Sequence, residues 1–264
     1  DYATHLRFAG GGAEASQHQY SYEEARYCSA ILRVSPAAAV LPGRRLVPLS
    51  ALFGRTGGDE GPALWRDFWA CHGIRDGLRW FRQYASVVLR AFVGVFLLYG
   101  VAMEAHQQNT FLEVDSEGAL ARVVYQELGG GVFWDRARLA LLPVDFTAEV
   151  YERDDVIEPY DKCLACVRHA VLRSHLVPLI NEVASFFGQG REVLGGELRA
   201  MILALPGEVS QFAGDRLPAK DFAALAAASV SGLLGPGQRK ALLRMRLLQT
   251  KGEVYVDAGP DLGE

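Results

Sequence analysis

Residues 100–113 read GVAMEAHQQNTFLE, and this stretch decides how the chain is laid out. Five polar side chains, Glu104, His106, Gln107, Gln108 and Asn109, interrupt a run that is otherwise apolar on both sides. An amide or imidazole buried without a partner costs on the order of 1–3 kcal/mol, so such a cluster is either tied together or bound to a ligand. In an extended strand Glu104, His106 and Gln108 would face one side and Asn109 the other. The segment must therefore turn if all four line one site, which predicts a helix-to-strand junction here.

Toward the N-terminus, Trp65, Phe68, Trp69, Trp80, Phe81 and Tyr84 recur at three- and four-residue steps, the spacing of one helix face. This predicts two helices broken near Gly73, with the aromatic stripe packed into the core rather than lining a cofactor. Toward the C-terminus, Phe111, Leu112 and Val114 and then Leu120, Val123, Val124 and Tyr125 are β-formers around Asp115-Ser116-Glu117-Gly118. That is a hairpin turned at Gly118. Its second strand returns beside the first and delivers Glu127, followed by Gly129, Gly130 and Gly131, toward His106. There a carboxylate can hold Mg2+ on a triphosphate, and glycines permit close phosphate approach.

Residues 21–34 are expected to form a helix with Ser21 as N-cap and Glu24 at its third position. The glycine-rich GRTGGDEGP loop at 54–62 marks a subdomain boundary. Helical spacing resumes from Glu158 to Phe187, then over Arg191–Leu205 and Phe222–Leu234, with breaks expected at Pro206 and Pro218. The basic residues Arg239, Lys240, Arg244 and Arg246 are read as the solvated face of a terminal helix, and residues 253–256 as a last strand. The fold class expected is α+β, mainly helical with a small antiparallel sheet.

The 264 residues are 22% charged and 50% hydrophobic, which excludes disorder and disulfide-rich miniproteins. A net charge of −4 gives no global cationic field, so no nucleic-acid partner is expected. The longest apolar run, Ala91 to Met103, falls short of the roughly 20 residues that span a bilayer, so a buried helix and no membrane partner are expected. No signal peptide is visible, and Asp1 in place of a methionine reads as a cut chain. Of the cysteines, at 28, 71, 163 and 166, only Cys163 and Cys166 are close in sequence, which points to a reducing, cytoplasmic setting.

The segment GVAMEAHQQNTFLEVD resembles the signature of the IucA/IucC family, the NRPS-independent siderophore (NIS) synthetases, in which glycine and aliphatics lead into Glu-x-His-x-Gln-Asn. Glu104, His106, Gln108 and Asn109 match it one for one. Weaker echoes lie in SAILR at 29–33, VPLSALF at 47–53, the Trp80–Tyr84 helix and KALLRMRL at 240–247. The resemblance implies an ATP-dependent ligase in which a carboxylate such as citrate is adenylated and then taken by an amine, hydroxylamine or alcohol. It implies that His106, with Glu104, contacts the acid, and that His106 also meets the reacting phosphate. Gln108 and Asn109 would hold the nucleotide, Glu127 would organise metal and phosphate, and Arg33 would be a further phosphate or carboxylate contact. The implied cofactors are ATP and Mg2+, and the implied assembly is a homodimer. Residues 1–62 would be the end of a fingers-like subdomain and 63–264 a palm-like catalytic domain.

The chain departs from the family in two places. Gln126-Glu127 stands where Arg-Asp is usual, and the Ser-x-Arg-Thr nucleotide motif is absent from residues 1–105. The resemblance reads that absence as a C-terminal fragment with weak or no ligase activity alone. Two other readings stay open. A kinase-like phosphotransferase would release ADP rather than AMP, but it needs an upstream lysine, and none precedes Lys162. A non-catalytic or iron-binding module resembling the FhuF ferric-siderophore reductases would use Cys163 and Cys166, although an iron–sulfur cluster wants four thiolates.

Overall fold

A computed structural model describes residues 3–4, 32–33, 40–57, 61–126, 131–139, 157–213, 219–235, 237–240 and 255–258. The chain divides into two compact units, Asp1–Pro42 and Gly43–Glu264. In the first, strand β1 (Ala3–Thr4) pairs antiparallel with β2 (Leu32–Arg33), Ala3 opposite Arg33. The helix expected over 21–34 therefore does not reach its predicted end. Leu32 and Arg33 sit between Ile31 and Val34, a β-branched setting that favours a strand once a partner is supplied. The remainder of that expected helix lies outside the described residues.

The second unit begins with β3 (Arg45–Pro48) and a short helix α1 (Leu49–Leu52), followed by α2 (Trp65–Cys71) and the long α3 (Gly77–Tyr99). Then come β4 (Val101–Met103), a 3₁₀ turn (Gln107–Asn109), β5 (Thr110–Val114), β6 (Leu120–Tyr125), β7 (Val132–Asp135) and a short α4 (Arg136–Leu139). After β8 (Ile157–Glu158) the chain is helical in α5 (Tyr160–Phe187), α6 (Arg191–Ala213) and α7 (Ala219–Leu234), and ends with β9 (Gly237–Lys240) and β10 (Tyr255–Ala258). The architecture is α+β and mainly helical. Its small sheets are the antiparallel β3-β5-β6, the mixed β4-β7-β8 in which only β8 runs parallel to its neighbour, and the antiparallel β9-β10 ribbon.

The aromatic stripe is core, as its spacing predicted. Trp65 and Trp69 are fully buried and stack with centroids 5.5 Å apart, and Trp80 and Tyr84 on α3 meet Trp65 edge-on. Phe186 and Phe187 at the end of α5 close the cluster against Trp69. Both α3 and α5 are long and apolar enough to cross a membrane, but 61% and 67% of their most apolar windows are buried inside the fold. Asp76 caps α3 by accepting from the Arg79 amide at 2.9 Å.

Two helical segments depart from regular α geometry. Residues Leu89–Gly94 of α3 and Arg168–Leu176 of α5 are π-helical. Pro178 follows the second and has no N–H to give to the turn below it, which accounts for a widened ladder just upstream. The break expected at Pro206 does not occur, because α6 runs through it. Leu194, Leu198, Ile202, Leu205 and Val209 form one continuous buried face across the proline. Ion pairs from α3, Arg82 to Glu197 and Arg90 to Glu208, hold the helix on either side of it. Tertiary packing thus outweighs the lost hydrogen bond. The basic segment is also corrected in part: Gly237–Lys240 is strand rather than helix, and residues 241–250 lie outside the described residues.

Candidate functional site

Helix α3 ends at Gly100, whose φ of 67° is left-handed and whose amide bonds the Phe96 carbonyl at 2.9 Å. A Cβ at this position would come within 2.7 Å of Arg138 Cβ and 3.0 Å of Asp135 Cβ, so only glycine lets β7 and α4 approach this closely. Buried Arg138 bonds the carbonyls of Phe96 and Leu97, which satisfies the end of α3 from the side. The chain therefore leaves α3 in a fixed direction and enters β4, paired antiparallel with β7.

The junction expected from the sequence follows. The Ala105 amide bonds Met103 O at 2.7 Å and the His106 amide bonds Glu104 O at 2.8 Å, two successive tight turns. The 3₁₀ turn Gln107–Asn109 then leads into β5. Buried Asn109 organises this loop. Its Nδ2 donates to Glu104 O at 3.1 Å and lies 3.3 Å from Nε2 of His106. An amide nitrogen only donates, so Nε2 of His106 accepts and the ring carries its proton on Nδ1. Thr110 Oγ1 donates to His106 O at 3.1 Å, fixing the other side of the same residue. Glu104, His106 and Gln107 are half-buried, and Gln108 is exposed.

The hairpin closes on this loop as predicted, turning at Asp115–Ala119 with Gly118 at φ 79°. At its return the Gln126 amide bonds Asn109 O at 3.1 Å, and Gln126 Nε2 donates to Gln108 O at 2.8 Å. The start of β7 is anchored as well, since Gly131 O accepts from the Glu104 amide at 2.7 Å and from Tyr125 Oη at 2.8 Å. Glu127 and the glycines at 129 and 130 lie outside the described residues. So does the side chain of Arg33, whose backbone belongs to the first unit.

Behind the loop stand Tyr84 of the aromatic stripe and His175, which no motif spacing singles out. Fully buried His175, in the π-helical stretch of α5, approaches Ala105 O with Nδ1 at 3.2 Å, and its Nε2 lies 2.6 Å from Tyr84 Oη. A carbonyl can only accept, so Nδ1 donates to Ala105 and Nε2 accepts from the tyrosine. Burial drives the His175 pKa down to about 4, and burial raises that of Tyr84 well above its usual value. The only hint in the sequence is a histidine set among Val171, Leu172, Leu176 and Leu179.

The Glu113 side chain ends the same motif and is fully buried. It accepts from Arg44 Nη1 at 3.2 Å and Arg122 Nε at 2.7 Å. Burial pushes its carboxyl up, and the two guanidinium groups more than reverse that, leaving it below the usual carboxylate range. Cys163 and Cys166 are buried thiols near the start of α5, and burial pushes Cys163 up to about 12. Among the described residues no three His, Cys, Asp or Glu side chains group as a metal site. The carboxylate that the resemblance assigns to metal, Glu127, is not among those described residues.

The fold is shared with solved siderophore synthetases. The ATP-bound aerobactin synthetase IucA of Klebsiella pneumoniae superposes with a TM-score of 0.68 at 14% identity, covering 88% of this chain and 39% of that one. The curated spermidine-citrate ligase of Bacillus anthracis is 28% identical over 130 residues, 47% of this chain and 20% of the ligase. The rhizobactin siderophore biosynthesis protein RhbC of Rhizobium meliloti is 35% identical over 63 residues, 24% of this chain and 11% of RhbC. The matched regions thus span a fifth or less of these curated relatives. A family model described as ferric iron reductase FhuF-like transporter matches residues 78–253, about two thirds of the chain. The chain belongs to that FhuF-like family, and it shares the fold of the IucA/IucC-type NIS synthetases that its histidine motif resembles.

Proposed function

We propose that the chain provides the acid- and phosphate-binding part of an ATP-dependent ligase that adenylates a carboxylate such as citrate and passes the acyl group to an amine, hydroxylamine or alcohol. The observation that carries this reading is the convergence of Glu104, His106 and Asn109 on one turn, with Gln108 exposed beside it and Gln126 returned against it. An acid oxygen attacks the α-phosphorus of ATP, the α–β anhydride breaks and pyrophosphate leaves. The acceptor then attacks the acyl carbon and AMP departs.

In this scheme His106 meets the acid and the reacting phosphate, and Glu104 selects the polar end of the acid. Gln108 reaches the nucleotide from its exposed position, and Asn109 does so while shaping the turn. Glu127 is assigned the metal-organising role and Arg33 a further anion contact. Bound Mg2+ would neutralise charge on the triphosphate, while the chain's own donors orient the acid and the phosphates around it. Residues 1–62 and 63–264 would act as fingers and palm of a homodimeric cytoplasmic enzyme, a setting in keeping with the thiols Cys71 and Cys163. The FhuF-like description supports a second reading, a redox module in which the buried thiols Cys163 and Cys166 would be the ligands.

The test is product analysis with Mg2+, ATP, a panel of di- and tricarboxylic acids and hydroxylamine. Acid-dependent AMP and pyrophosphate, even at a low rate, that vanish in His106→Ala support the reading. ADP as the product would replace it with a phosphotransferase. Visible absorbance with bound iron would replace it with the redox module.

A further inference from the structure

We infer that Tyr84 and His175 are positioning residues for the site: the chain Tyr84 O–H to His175 Nε2, His175 Nδ1–H to Ala105 O sets the direction in which Glu104 and His106 leave the backbone. The inference rests on the site proposed above, but the geometry stands independently of it. Ala105 is fully buried and lies between two half-buried residues, Glu104 and His106. Its carbonyl is held from the rear by His175 at 3.2 Å, while Glu104 O and His106 O are held by the Asn109 and Thr110 side chains. All three consecutive carbonyls of the arm therefore carry a side-chain donor, and rotation of any peptide in it breaks at least one of these bonds.

The helical distortions fall in the same place. The π-helical stretch of α5 contains His175, and that of α3 begins five residues beyond Tyr84. Whatever Pro178 adds in α5, π-helical geometry is rare and recurs at functional sites. The neutral state of His175 fits the arrangement, since in a cationic ring both nitrogens would donate and the Tyr84 hydroxyl proton would lose Nε2 as its acceptor. Burial obliges the pair to satisfy its polar atoms, and the acceptor that its outward donor takes is the one carbonyl between Glu104 and His106.

The experiment compares His175→Leu, His175→Asn and Tyr84→Phe in the full chain. Asparagine can place its amide N–H where Nδ1–H stands, so it keeps the bond to Ala105, whereas leucine keeps only bulk. The first readout is the ring nitrogen and proton shifts of His106 by NMR, which need no ligand and no turnover. The second is the rate of acid-dependent pyrophosphate release.

We expect His175→Leu to move the His106 ring signals and to cut the rate about 10- to 100-fold, the penalty of a reacting group misplaced by about an ångström. His175→Asn should restore both to within about threefold. Tyr84→Phe should alter the His175 nitrogen shifts, because Nε2 loses its donor, and should displace His106 by less. If His175→Leu is folded and leaves the His106 signals where they were, or if asparagine rescues no better than leucine, the positioning role is refuted. Should His175→Leu fail to fold, Tyr84→Phe decides: unchanged signals from both histidines overturn the inference. If the unsubstituted chain releases no pyrophosphate, as a C-terminal fragment with weak or no activity would behave, the NMR comparison alone decides the positioning role, and the ligase reading falls only to ADP or bound iron in the product test above.

Discussion

His175 and Glu113 are both fully buried polar groups beside the same motif, and the structure resolves them in opposite ways. Behind Ala105, His175 faces a hydroxyl and a carbonyl, partners with no charge to offer, and burial leaves it neutral. At the far end of β5, Glu113 faces two guanidinium groups and remains ionised. Burial alone fixes neither state; the chemistry of the partner does. Between them lie Glu104, His106 and Gln108, half-buried or exposed, the residues proposed to meet the ligands. The two buried groups define a frame around the residues proposed to bind.

The largest expected effect is acid sensitivity from His175. Its folded pKa of about 4 lies below the ordinary 6.5, so the unfolded chain binds more protons between these values and stability falls as pH drops through that window. The full contribution is about 3 kcal/mol. Denaturant unfolding at pH 7 and pH 4.5 should show a difference that shrinks in His175→Asn, whereas an equal slope would mean that His175 is not buried neutral. Glu113 should act in a separate window. Its folded pKa is depressed, so the stability it adds is present above about 4.5 and is lost as pH falls further. Glu113→Ala should cost about 1–3 kcal/mol at pH 7 and flatten the acid limb below pH 4.5. No change in either would erase the contrast between the two groups. The smallest stability effect belongs to His106→Ala, within about 0.5 kcal/mol because the ring is only half-buried. The same substitution should weaken binding of citrate or Mg·ATP about 10- to 100-fold, measured by calorimetry. A large loss of stability with binding intact would move His106 into the frame.

What the sequence revealed was what local chemistry controls. Asp115 accepts from the Glu117 and Ala119 amides, and Gly118 takes the left-handed position, so the hairpin turn was readable from four residues. The junction at 104–109 was equally readable, because alternation could not place Glu104, His106 and Asn109 on one side without a turn. The aromatic stripe showed itself by its period. Features that depend on distant partners were not readable. His175 and Tyr84 are 91 residues apart, and a histidine in an apolar helix has no spacing signal that names its partner. Leu32–Arg33 became strand through pairing with Ala3–Thr4, and α6 passed through Pro206 because its buried face and two ion pairs to α3 continue beyond it. Motif chemistry is thus visible locally, while the frame that holds it is a tertiary property.

The most direct measurement is a crystal structure of the chain grown with citrate and a non-hydrolysable ATP analogue. The account predicts an acid carboxylate and phosphate oxygens within hydrogen-bond reach of His106 and Gln108, with the Asn109 bond to Glu104 O retained. Ligands bound elsewhere, or a loop whose His106 and Gln108 turn away from them, would contradict it.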